Sequence, residues 1–247
     1  MSKFLQMLYA LVAYVFFFGT FLYLVGFLGG LVVPKTIDSG PEGPWLSALI
    51  INLVLIGIFA IQHTVMARPA FKSWWTKIVP NSIERSTYVV ATNLTLVLLF
   101  WQWRPLTSVI WDLDGVAGQI MFGVFGFGWL VVLISTFMLS HFELFGLTQA
   151  YAGFRGRVSH DIPFHTPMLY GLVRHPIMLG FIIAIWAAPT MSLGHLVFAF
   201  ATTLYILIAL HFFEERDLLK VIGTEYADYR RRVPMLIPFS SPRAGRE

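Results

Sequence analysis

Tyr170-Gly171-Leu172-Val173-Arg174-His175-Pro176-Ile177-Met178-Leu179-Gly180 opens one long apolar run, and Glu214-Glu215-Arg216-Asp217-Leu218-Leu219 closes the next. Between them lie two apolar segments, near 177–191 and 195–213, separated only by Pro189-Thr190-Met191-Ser192-Leu193-Gly194. So short a connection predicts an antiparallel helical hairpin, which returns both charged clusters to one side of a membrane, facing each other. Beyond Phe213, the residues Leu218, Ile222, Tyr226, Tyr229 and Val233 recur at helical spacing. They predict an amphipathic helix along the inner membrane face, with Arg230-Arg231-Arg232 toward lipid headgroups.

Apolar residues make up 57% of the 247-residue chain and charged residues 12%, against a usual charged share of about 25% in soluble domains. That composition describes a membrane protein. The first run, 4–33, is too long for a signal-peptide core and lacks a small-residue cleavage site, so it reads as a spanning helix. Further runs at 45–66, 87–103, 118–140, 174–191 and 194–213 are each long enough to cross a bilayer with modest tilt. The expected fold is an all-α integral membrane protein of six transmembrane helices, 1–247 forming one domain that ends in the hairpin and the amphipathic cytoplasmic tail helix. With both termini inside, Lys35 and Arg104 fall outside and the other 15 of the 17 basic residues are cytoplasmic, the asymmetry that sets orientation.

The chain has no cysteine, which excludes disulfides, thiolate metal sites and a cysteine nucleophile. Any sulfur chemistry must come from a substrate or cofactor. The net charge of +4 does not point to nucleic acid, because the basic residues sit beside apolar spans and form no soluble domain. Topology and contact with anionic lipid account for them, so the bilayer is the expected partner.

Polar chemistry gathers on the inner side. His63, His141, His160, His165, His175 and His211 lie at or near cytoplasmic helix ends, with His195 alone on the far side. No two histidines share the close helical spacing of a metal site, so no metal is expected. The inner connection 142–173 is too long to be only a turn, and such connections are often functional. Gly118, Gly123, Gly126 and Gly128 in the fourth run favour close helix packing.

Pro176 suits a first helical turn, where its missing N–H costs nothing, and the free N–H groups of that helix end favour an anionic group such as a carboxylate. Arg174 beside it is a candidate catalytic group, or a side chain that snorkels to phosphate. Glu214 and Glu215 follow directly on an apolar run, so at least one lies at the hydrocarbon boundary and requires a partner. That partner is Arg174, a cofactor amino group or ribose hydroxyls. His63, Glu84, Arg85 and His141, at the inner ends of the second to fourth runs, are candidates for catalysis or for structural pairing, such as Glu84 with Arg68 or Arg85. His63 is the candidate base or thiol-orienting group.

Arg174-His175-Pro176, then Gly180, the Glu214-Glu215 pair, Gly223-x-x-Tyr226-x-x-Tyr229 and Val233-Pro234 together resemble the isoprenylcysteine carboxyl methyltransferase-like superfamily of membrane methyltransferases, which includes nurim-like proteins. Gln62-His63-Thr64-Val65-Met66-Ala67-Arg68, Ile83-Glu84-Arg85-Ser86-Thr87-Tyr88 and His141-Phe142-Glu143-Leu144-Phe145-Gly146-Leu147-Thr148-Gln149 narrow the resemblance to the bacterial methanethiol S-methyltransferases. The resemblance implies S-adenosyl-L-methionine as cofactor, bound within 141–239 by Gln149, His165, Thr166, Tyr170, His175, Pro176, Ile177, Met178 and Glu214. Many relatives carry Tyr where this chain has Met178. It further implies a multi-pass protein of the bacterial inner membrane, its active site facing the cytoplasm, that methylates a small thiol such as methanethiol to dimethyl sulfide by in-line displacement.

Carboxyl-methylating relatives can carry an arginine four residues before the first acid, and here that position is Leu210, which suits a methyl group and cannot pair a carboxylate. The alternatives are methylation of a prenylcysteine carboxylate or a phospholipid amine, a non-catalytic nurim-like protein, or a haem-binding bundle using His63 and His141.

Overall fold

A computed structural model describes residues 2–157 and 163–240; His160 therefore lies outside the described residues. Along the chain run α1 (Lys3–Gly29), α2 (Trp45–Ala67), α3 (Pro69–Trp75), α4 (Asn81–Gln102), β1 (Val109–Asp112), α5 (Gly115–Leu139), α6 (His141–Leu144), α7 (Leu147–Phe154), α8 (Leu169–Leu172), α9 (Pro176–Trp186), β2 (Thr190–Ser192), α10 (Leu193–Ala209), a π-helical turn (Leu210–Glu214), α11 (Glu215–Ile222) and α12 (Thr224–Arg232). The two short strands pair with each other. Among the described residues, α1, α2, α5 and the continuous helical stretch Leu193–Ile222 are long and apolar enough to cross a membrane. The chain is an all-α membrane protein.

Two of the expected runs take another form. The third begins at Asn81, directly after Pro80, so the polar residues from Asn81 to Ser86 are helical too and the 22-residue α4 is polar at its inner end. The fifth, expected over 174–191, is helical for only 11 residues. That is about 16 Å of rise, roughly half of a hydrocarbon core about 30 Å thick. Pro189 disfavours helical backbone in the residue before it, and the chain turns into β2 instead. The expected single tail helix is broken at Gly223, whose φ of 77° suits glycine and separates α11 from α12.

The chain forms two compact units, the first from the described parts of Met1–Ile110, Ser140–Asp161 and Ser192–Phe198, the second from those of Trp111–Leu139, Ile162–Met191 and Ala199–Glu247. In the first, α1 and α4 run side by side: Ser82 Oγ donates to Gln6 Oε1 at 2.5 Å, the Tyr9 hydroxyl donates to Thr87 Oγ1 at 3.3 Å, and Tyr23 stacks on Phe100 at 4.9 Å. α2 packs antiparallel to α4, with Asn52 making two hydrogen bonds to the backbone of Arg104 at 2.7 and 2.9 Å. Lys35 Nζ donates to the carbonyls of Trp101 and Trp103 at 2.7 and 2.8 Å, completing the C-terminus of α4. Burial of that amine, and the nearby Arg104, lower its pKa. α7 lies so close to α4 that a Cβ on Gly146, at φ 88°, would come within 2.5 Å of Ser86 Oγ.

In the second unit α5 and α9 approach backbone to backbone. A Cβ on Gly128 would lie 2.6 Å from the Ala184 nitrogen, and one on Gly180 would lie 2.8 Å from the Gly128 oxygen. The close packing expected of the α5 glycines thus holds at Gly128, whereas Gly123 and Gly126 have nothing within 4 Å. The expected hairpin is formed by α9 and α10: Trp186 Nε1 donates to Thr203 Oγ1 at 2.9 Å, and Met178, Leu179, Phe181 and Ile182 pack on Ile206, Leu210 and Leu236.

Candidate active site

The two charged clusters of the hairpin meet in the second unit, with Glu215 at their centre. Its side chain is 6% exposed, against 40% for Glu214. Glu215 Oε1 accepts hydrogen bonds from Arg174 Nε at 2.8 Å, His175 Nε2 at 2.8 Å and the Tyr226 hydroxyl at 2.9 Å. Oε2 accepts from Arg174 Nη2 at 3.1 Å and pairs with Arg230 Nε at 3.0 Å. These four hydrogen bonds use up the lone pairs of a carboxylate, and the Arg230 charge adds to them. The π-helical turn over Leu210–Glu214 inserts about one residue into the helical register, so the second acid turns inward and the first stays near the surface.

Arg174 is committed throughout. Beyond Glu215, its Nη1 donates to the carbonyls of Val233 at 2.5 Å and Arg230 at 3.3 Å, and its backbone N–H to Pro234 at 2.9 Å. The His175 N–H reaches the Met235 carbonyl at 3.2 Å, and the Tyr229 hydroxyl donates to the Tyr170 carbonyl at 2.6 Å. The tail therefore packs on protein: Tyr226, Tyr229 and Val233 are buried against Phe164, Leu218, Leu219 and Ile222. Of the three arginines read as facing headgroups, Arg230 pairs with Glu215 and Arg231 with Asp228.

His175 lies just outside α9, as its N-cap, and is 6% exposed. Its Nε2 faces Glu215 at 2.8 Å and its Nδ1 faces Glu214 at 3.4 Å, so both nitrogens carry protons. Burial opposes that charge, but the hydrogen bonds and charges of Glu214 and Glu215 outweigh it and push the pKa up to about 9. The Tyr229 hydroxyl is pushed up to about 12, chiefly by burial, with Arg174 opposing and Glu215 adding to the rise. Tyr226 is raised by burial and by Glu215.

The other residues implied in cofactor binding are distributed around this centre and beyond it. Pro176, Ile177 and Met178 form the first turn of α9, and Met178 packs toward Leu210, which is fully buried. The Tyr170 hydroxyl donates to the Ser135 carbonyl at 3.3 Å. His165 and Thr166 are exposed, with His165 Nδ1 2.9 Å from the Pro163 carbonyl. Gln149 belongs to the first unit, where its Nε2 donates to the Glu143 carbonyl at 3.2 Å and its buried Oε1 has no hydrogen-bond partner.

The first unit holds the remaining candidates. Glu84, Tyr88 and Thr92 recur every four residues and so share the face of α4 that meets α2. The Tyr88 hydroxyl lies 3.0 Å from the His63 ring nitrogens, Thr92 Oγ1 lies 3.3 Å from Nδ1, and Phe59 stacks on the imidazole at 5.2 Å. Glu84, 8% exposed, is 3.6 Å from Lys72, a partner that the sequence reading did not name. Arg68 Nε donates to the Thr64 carbonyl at 3.1 Å, and Arg85 is half-buried. His141, 5% exposed, begins α6 with Nε2 2.8 Å from the Tyr14 hydroxyl and with Phe142 and Phe145 edge-on to its ring. Burial lowers its pKa, so the ring is neutral and the Tyr14 hydroxyl donates to it.

No protein-family model matches the chain, and no solved structure matches it. Among curated proteins it is 54% identical to methanethiol S-methyltransferase 2 of Bradyrhizobium diazoefficiens, over 94% of this chain and 89% of that one. It is 52% identical to methanethiol S-methyltransferase of Mycobacterium tuberculosis, over 97% of this chain and 98% of that one. The chain belongs to the methanethiol S-methyltransferase family. Rat nurim is a more distant relative of this methyltransferase-family chain, 28% identical over 85% of it and 87% of nurim.

Sequence reasoning about this family member missed Glu215 as the hub, along with Tyr226, Arg230, Tyr88 and Tyr14 as partners. For three of them a signal was present: Glu215 follows an apolar run, and Tyr226 and Arg230 stand four residues apart on the amphipathic tail. Tyr14 carried none, because it sits in an unbroken apolar run and meets His141 from 127 residues away.

Proposed function

We propose that the protein transfers a methyl group from S-adenosyl-L-methionine to methanethiol, forming dimethyl sulfide, at the cytoplasmic face of the bacterial inner membrane. The observation that carries the reading is the pairing of a partly exposed carboxylate, Glu214, with the N-terminal end of α9 across a protonated His175. This donor set fits the cofactor. An ammonium and ribose hydroxyls require an acceptor such as Glu214, and a carboxylate is favoured at a helix N-terminus. In the first unit Gln149, the glutamine that the family resemblance implies in cofactor binding, keeps its buried Oε1 without a hydrogen-bond partner. Glu214, His175, Pro176, Ile177, Met178, Tyr170, His165 and Thr166 would hold the cofactor, which when bound would supply an electrophilic methyl group.

The chain's own residues then have two tasks, to keep the surroundings apolar and to accept one proton. A cysteine thiol titrates near about 8.5, and a simple alkyl thiol is less acidic, so a base is needed. His63, contacted by Tyr88 and Thr92, is the proposed base, and the neutral His141, its Nε2 occupied by the Tyr14 hydroxyl, is the first unit's other candidate, with a positioning role. Glu84 and Arg85 border the same inner helix end and adjust its charge. Arg174, with its donors engaged by Glu215 and tail carbonyls, acts by holding structure. Leu210, 0% exposed among Ile206, Leu236 and Met178, supports a small apolar acceptor over a carboxylate. Purified protein given S-adenosyl-L-methionine with methanethiol, ethanethiol or a farnesylcysteine analogue tests the reading. Methanethiol should be methylated fastest, and faster turnover of the farnesyl compound overturns it.

A further inference from the structure

We infer that Glu215 is a positioning residue for the cofactor site, acting through His175 and the C-terminal tail; the inference rests on the reading above that His175 and Glu214 border the bound cofactor. Glu215 is 4% exposed and its two oxygens already accept four hydrogen bonds and pair with Arg230, so it has no capacity left for a ligand. Its effect is on its neighbours. Through Arg174 and His175 it holds the start of α9, and through Tyr226 and Arg230 it holds α12. Arg174 extends the clasp to the Val233 carbonyl, and backbone bonds from Arg174 and His175 to Pro234 and Met235 close it.

The consequence for the cofactor site is geometric. With Nε2 anchored on Glu215, the His175 ring cannot turn, and Nδ1 stays directed at Glu214. Without that anchor the ring loses its fixed plane and α12 loses the carboxylate it closes upon. Glu214 and Glu215, from the hairpin's second arm, face this imidazole; Arg174 beside it, Tyr226, Tyr229 and Arg230 from α12 and Tyr170 from α8 act in turn on those two carboxylates. Glu214 and Glu215 both favour its protonated form. The helices after the last span are accordingly part of the site and more than a membrane-surface anchor.

The test is calorimetric binding of S-adenosylhomocysteine to the full chain in nanodiscs between pH 6 and pH 10, with unfolding temperature measured alongside. The variants are Glu215→Gln, Glu215→Asp and Tyr226→Phe. Glu215→Gln keeps the shape but removes the charge, so affinity at neutral pH should fall at least about tenfold, and the alkaline loss of binding should move down by about one pH unit. Glu215→Asp keeps the charge and should leave the alkaline limb near its wild-type position. Tyr226→Phe, which removes one hydroxyl, should weaken binding about threefold and carries the test if the Gln variant does not fold. Unchanged affinity in the folded variants, or lost affinity with an unmoved alkaline limb in Glu215→Gln, overturns the positioning role. Failure of the wild-type protein to bind S-adenosylhomocysteine overturns the cofactor reading and this inference with it.

Discussion

Two buried histidines, His141 in the first unit and His175 in the second, are 5% and 6% exposed yet are driven in opposite directions. His141 is surrounded by Tyr14, Phe142 and Phe145, and burial alone lowers its pKa. His175 is as little exposed but lies between two carboxylates, which reverse the sign. Exposure alone therefore does not decide protonation; the neighbouring charges do. The first unit surrounds His141 with uncharged groups, and the second uses charge to hold structure.

The largest effect that tests this contrast is on stability. Glu215→Ala strips the anion from Arg174, His175 and Arg230, and removing one partner from a buried ion network costs about 3–5 kcal/mol. His141→Phe, which loses the neutral hydrogen bond from Tyr14, should cost about 1 kcal/mol. Unfolding in detergent measures both, and equal losses would dissolve the distinction between the two centres.

Turnover provides the converse test. His63→Ala should lower methanethiol methylation by about 10²-fold, the usual scale of a lost general base, with S-adenosylhomocysteine affinity unchanged and partial recovery at higher pH. A matching fall in affinity would place His63 with the cofactor instead of the proton. Glu214→Ala should weaken S-adenosylhomocysteine binding by about 1–3 kcal/mol while lowering the unfolding temperature much less than Glu215→Ala, because the Glu214 carboxylate is partly exposed.

The pH dependence of stability sharpens the comparison further. The folded-state pKa of His175 is raised from 6.5 to about 9, so its stabilisation is complete below the unfolded value and is lost as pH rises through about 9. His141 is lowered from 6.5, so its contribution is present above that value and fades as pH falls below it. The unfolding temperature should therefore decline at both ends of a scan from pH 5 to pH 10. His175→Asn should flatten the alkaline decline and leave the acid one. The smallest effect belongs to the exposed Arg231–Asp228 pair, where Asp228→Ala should change stability by no more than about 0.5 kcal/mol.

Much of this architecture was legible in the residue order. The apolar runs marked α1, α2, α5 and α10, because length and apolarity are local properties of a helix and a bilayer selects for both. The meeting of Arg174-His175 with the acidic pair followed from the short link between the hairpin arms, which leaves two apolar helices no other way to run. The shortness of α9 was less legible, since Ile177 to Ala188 is uniformly apolar and only the backbone restriction before Pro189 ends the helix.

What the sequence by itself determined is the class of chain, the hairpin and the set of polar residues brought together at its charged end. Which acid sits at the centre was decided only by tertiary structure. Glu214 and Glu215 are chemically identical neighbours, and nothing in their order says which faces inward. A π-helical turn rotates the second into the protein, and the tail, folding back from Tyr226 to Met235, surrounds it with donors. The difference in exposure, 40% against 6%, is set by that rotation and by contacts from residues distant in the chain, which local pattern cannot encode.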